Sequence, residues 1–177
     1  MKTKLACAAA FLALTMFAVA ANAFYGAPSP TKLEGVINDY SPKSTNPMGP
    51  YLVSGPWSLQ FQPSGKAEFA ASLTMVRSDL SFTGLGALDP DSQAARNFHT
   101  HHVHVADGEV SFLGNAIVVS GTATVTSNGN EVFPGSTVQI EISGGTAVAP
   151  SNIKVTFGAP VSGHFTTQPY EGVVTTP

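Results

Sequence analysis

From residue 51 onward, hydrophobic and polar residues alternate with a period of two along most of the chain. Trp57, Leu59 and Phe61 are separated by Ser58 and Gln60, and Ala67, Phe69, Ala71, Leu73 and Met75 are separated by Glu68, Ala70, Ser72 and Thr74. This period belongs to strands with one face in a core and the other in solvent. Pro63-Ser64-Gly65 turns the first of these strands into the second. The same pattern returns in Val103 and Val105, between Ile117 and Thr126, in Val138, Ile140 and Ile142, and in Ile153, Val155 and Phe157. His164-Phe165-Thr166 fits a last short strand. Arg77-Ser78-Asp79 ends one strand, and Leu80-Ser81-Phe82 continues the sheet before a longer connection. Within that connection, 88–96 is the one helical candidate of the mature chain, with Asp89 or Asp91 as its cap.

Two dipeptides mark tight turns between strands. Asn128-Gly129 places Val125 opposite Val132, and Pro134-Gly135 interrupts the return strand as a bulge or bend. Asp107-Gly108 predicts a second hairpin, with Val105 opposite Val110, Val103 opposite Phe112 and His102 opposite Leu113. About eight strands with short connections and almost no helix predict an all-β domain, an antiparallel meander that curls into a small β-barrel. A two-sheet β-sandwich carries the same alternation and is the alternative. Trp57, Phe61, Phe69, Phe112 and Phe157 fall on the inward face, enough bulk to fill a small barrel with side chains. Trp57 reads as a core plug whose indole N–H needs one partner.

The flanking segments lack this alternation. Met1-Lys2-Thr3-Lys4 precedes an apolar run from Leu5 to Ala20, and Ala21-Asn22-Ala23 follows, the layout of an export signal peptide over 1–23. The mature chain then begins at Phe24, and secreted or periplasmic localisation follows. Residues 24–50 are rich in Pro and Ser and read as an N-terminal arm, with Leu33, Val36 and Ile37 able to form one short turn or strand. The domain is expected over 51–166, with 167–177 as a C-terminal tail.

Composition narrows the chemistry. The single cysteine, Cys7, lies in the leader, so the mature chain has no disulfide and no thiol redox chemistry. The formal charge is −3, and loss of Lys2 and Lys4 makes it more acidic. The remaining basic residues are scattered singly, which excludes a phosphate-tracking stripe and argues against nucleic-acid binding. No second apolar run is long enough for a transmembrane helix. Asp89 and Asp91 lack the rest of a calcium-loop pattern.

Four of the five histidines fall in one stretch, Asn97-Phe98-His99-Thr100-His101-His102-Val103-His104. Strand parity divides them. His102 and His104 lie opposite in sense to the core valines and point outward together, with Glu109 of the predicted hairpin as a third ligand or an acceptor for an imidazole. His99 and His101 share the valine parity and belong at the open end of the core face, at a barrel mouth. His164, remote in sequence, can return to either pair. Imidazoles with a carboxylate suit zinc, copper or iron, and an open coordination position would permit metal-dependent catalysis.

The functional expectation is therefore a secreted β-domain binding a divalent transition metal through a His-x-His hairpin. No Gly-x-Ser-x-Gly elbow or His-Glu-x-x-His motif is present, which motivates the alternative of a non-enzymatic cell-envelope or extracellular binding domain with the arm as tether. A third reading is a pH-responsive surface, because clustered imidazoles acquire charge together as pH falls.

Overall fold

The computed structural model describes residues 32–46, 49–78, 98–145 and 150–176. Alternating side chains build eight strands: β1 (Lys32–Ser41), β2 (Tyr51–Phe61), β3 (Lys66–Arg77), β4 (His99–Leu113), β5 (Ala116–Ser127), β6 (Asn130–Ser143), β7 (Asn152–Phe157) and β8 (Tyr170–Thr176). One helical turn, α1 (Ser162–Phe165), precedes β8. Each strand pairs antiparallel with the next, and β8 pairs with β1 to close a barrel. Closure leaves no strand edge unpaired, which decides for the barrel over the sandwich.

The inward rows follow the alternation. Leu33 and Ile37 of β1, Leu59 of β2, Phe69, Leu73 and Met75 of β3, Val103 and Val105 of β4, Ile140 of β6 and Phe157 of β7 are all essentially inaccessible. Trp57 is buried against Phe69, ring centroids 6.5 Å apart. Its indole N–H has no hydrogen-bond partner, contrary to the expectation that burial would supply one. Phe61 is half-buried, and Phe112 is exposed rather than inward.

The arm and the tail each give a strand to the barrel. β1 lies within the Pro-rich segment and pairs with β2 from Lys32↔Gln60 to Ser41↔Tyr51. Its alternation is masked because an inward position is Gly35, where an added Cβ would strike the Val173 carbonyl of β8 and come within 2.8 Å of the Trp57 ring. β8 lies where a frayed tail was expected, held by β7 on one side and β1 on the other. His164-Phe165-Thr166 is not a strand. The N–H groups of His164 and Phe165 both bond to the Val161 carbonyl, and that of Thr166 to Ser162, closing a single turn.

The Asp107-Gly108 hairpin is also corrected. β4 runs on through these residues, with Phe69↔Val105, Ala67↔Gly108 and Lys66↔Glu109 paired to β3, while Val110 faces Val119 of β5. The extra residues are absorbed as a bulge on both sides, and the chain reverses later, at Gly114-Asn115. Gly108 is needed for close approach rather than for a turn. A Cβ there would lie 2.5 Å from Val119 Cγ1 and 3.1 Å from the Ala67 carbonyl oxygen. The Asn128-Gly129 turn forms as expected, with Val125↔Val132 paired and a register shift through Phe133-Pro134-Gly135.

The leader, Leu80-Ser81-Phe82, Asp89, Asp91 and the helix expected over 88–96 lie outside the described residues. No described helix is long and apolar enough to cross a membrane.

Candidate metal centre

At one end of the barrel β1, β3, β5 and β7 finish and β2, β4, β6 and β8 begin. β4 enters there with His99 and His101, whose side chains share the parity of Val103 and Val105 and turn inward at the mouth. Facing them is α1. Its Phe165 is fully buried and stacks on Phe157 with ring centroids 4.4 Å apart. The Tyr170 hydroxyl donates to the Phe165 carbonyl, and burial pushes that phenol up to about 12. Anchoring Phe165 in the core turns the preceding residue, His164, sideways toward β4.

The result is a cluster of three imidazoles. The Nε2 of His164 lies 3.0 Å from the Nε2 of His99 and 3.0 Å from that of His101. Donor nitrogens of all three lie within 4.8 Å of one another. His101 is buried, and His99 and His164 are partly exposed. Two nitrogens bound about 2.0–2.1 Å from one ion are separated by about 2.9 Å at right angles and about 3.3 Å at the tetrahedral angle. The two distances from His164 fall between these values and the third pair lies within 4.8 Å, so the cluster could coordinate a metal ion.

Hydrogen bonding alone does not satisfy this geometry. A neutral imidazole Nε2 is either one N–H donor or one lone pair. His164 can thus make one good bond to His99 or to His101 and leaves the other nitrogen facing it poorly matched. A cation accepts all three lone pairs. Protonation is disfavoured as well: burial first, then the neighbouring His164, His99 and His102, push His101 down to about 4. Burial and His99 push His164 down to about 4. The Thr126 backbone pulls His101 slightly the other way, without reaching hydrogen-bond geometry at Nδ1. At neutral pH both rings are therefore neutral, each with one N–H and one lone pair.

The surroundings fix the rings. The Asn46 side-chain amide, buried in the β1–β2 connection, donates to the His164 carbonyl at 2.7 Å. Phe133, carried inward by the β6 register shift, stacks on His164 with centroids 5.5 Å apart. Tyr51 meets His99 edge-on at 5.8 Å. Sequence reasoning passed over Asn46, Tyr51 and Phe133; the Pro-Gly bulge signal at 134–135 was the one available pointer to Phe133.

Of the six expected ligands, the structure brings together His99, His101 and His164. His102 and His104 point outward as parity requires, but Glu109 does not join them. Once the hairpin becomes a bulge, Glu109 sits opposite Lys66 and pairs with its amine. The acid that reaches His104 is Glu68, with Oε1 2.9 Å from Nε2. Among the described residues, the three-histidine cluster is the one group of three or more metal-ligating side chains this close. Comparison with protein-family models, curated proteins and solved structures finds no match to this chain.

Proposed function

We propose that this protein is an exported metal-binding β-barrel that holds one divalent transition ion between His99, His101 and His164. The observation that supports the reading is the gathering of three imidazoles, with Nε2 of His164 3.0 Å from that of each of the other two and ligand nitrogens of all three within 4.8 Å. Three neutral nitrogen donors suit zinc first, with copper and iron as the other candidates from the same donor chemistry. Among the described residues no carboxylate joins the cluster, so a bound ion keeps its full double charge. Such an ion, held by His99, His101 and His164, would supply Lewis acidity for metal-dependent hydrolytic or hydration chemistry.

A structural role for the same ion is the second reading. It is favoured by the position of His164 on the turn that caps the barrel, because an ion shared with β4 staples α1 across the mouth. Zinc and cobalt(II) titrations of the untagged protein test the common core of both readings. The expected result is one equivalent bound with submillimolar affinity, a tetrahedral cobalt visible spectrum, and loss of both in His164→Ala. Absence of saturable binding refutes it. N-terminal sequencing of protein recovered outside the cytoplasm tests export, with Phe24 as the expected first residue.

A further inference from the structure

The outer face of β4 carries the other two histidines. His102 and His104 are both exposed and line one open groove of about 700 Å³ on the outside of β1–β4. Ser72 lies opposite His102, Ala70 opposite His104, and Ser58 opposite Ala70, so small side chains leave room around both imidazoles. Outward positions two apart on a strand have Cα atoms roughly 6 to 7 Å apart, close enough for both rings to turn onto one ion. Glu68 supplies a third donor, its carboxylate 2.9 Å from Nε2 of His104. Ligands at right angles around a square-planar ion are also about 2.9 Å apart, so the His104–Glu68 spacing suits an ion once the side chains turn toward it and His102 swings in to join them.

We propose that His102, His104 and Glu68 form a second divalent-metal site on the outer face of the barrel. Its two nitrogens and one oxygen suit the tetragonal preference of copper(II) and nickel(II), with copper bound more tightly than nickel by the general affinity order. The site is weaker than the cluster at the mouth, because its ligands stand in water and lose side-chain freedom on binding. β4 thus carries two His-x-His pairs facing opposite ways, His99/His101 inward and His102/His104 outward. The outer pair requires nothing of His164.

Calorimetric titration of the untagged protein with copper(II) and then nickel(II), in a non-coordinating buffer, tests this. Two binding events are expected. His102→Ala and His104→Ala should each weaken the second event by roughly tenfold or more, and Glu68→Gln should weaken it less. The two histidines are exposed and Glu68 is half-buried on the outer face, so circular dichroism and the thermal midpoint should stay near wild-type values. His164→Ala should abolish the tight event and leave the weak one. A weak event of wild-type affinity in either histidine variant, its loss in His164→Ala, or its absence from the wild type overturns the proposal. If the tight event is missing from the wild type, the response of the weak event to His102→Ala and His104→Ala still decides.

Discussion

Zinc affinity at the barrel mouth should resist acid over a range in which ordinary imidazole sites release their ions. A histidine must be deprotonated to bind a metal, so each ring titrating above the solution pH lowers affinity by about tenfold per pH unit. Two rings with the usual value near 6.5 would each lose about 30-fold at pH 5, about a thousandfold together. His101 and His164 are instead held at about 4, chiefly by burial. Each is then still about nine-tenths neutral near pH 5, and their joint cost is under about twofold. Competition against a chromophoric chelator from about pH 7 down to about pH 5 measures the effect. His101 and His164 together should add almost nothing to the slope of log affinity against pH over this range. A slope of two or more would refute the claim that burial keeps these two rings neutral.

The metal-free barrel should behave in the opposite sense. Its folded His101 and His164 stay neutral down to about 4, while the unfolded chain takes up protons from about 6.5 downward. Stability should therefore fall as pH drops from about 6.5 to about 4 and then level off, with about 2–3 kcal/mol lost through His101 alone. Chelator-treated thermal melts across this range check it, and a rising midpoint would contradict it. Asn46→Ala removes the bond to the His164 carbonyl and should cost about 1–3 kcal/mol of stability, with about tenfold weaker zinc binding. Denaturant unfolding and the same chelator competition measure the two effects. Gly108→Ala drives a methyl into Val119 and the Ala67 carbonyl and should cost about 1–3 kcal/mol, readable as a lower urea midpoint with unchanged slope.

Strand parity was the part of the site legible in the chain. Val103 and Val105 fixed the sense of β4, and that sense alone placed His99 and His101 inward at a mouth and His102 and His104 outside. His164 was a candidate ligand whose pair the chain left undecided, because its position depends on Phe165 docking into the core and turning one residue aside. Glu109 was misplaced through Gly108. A glycine required for contact with β3 and β5 has the same local signature as one required by a turn, and the difference lies in strands distant in sequence. The same non-local dependence hid β1 and β8. Gly35 interrupts β1 where a Cβ would strike the Val173 carbonyl of β8, and β8 has Gly172 where a Cβ would strike the Val36 carbonyl of β1. Each of those glycines makes sense only with the other strand beside it.

The seam between β1 and β8 joins the two extremes of the barrel, as when the Thr175 hydroxyl bonds to the Glu34 carbonyl 141 positions away. Such contacts are entropically expensive to form and come late in folding. The first strand must wait, unpaired on one side, until the eighth has been synthesised. Neighbouring strands can pair as they emerge, but the barrel itself cannot close until nearly the whole chain has been made.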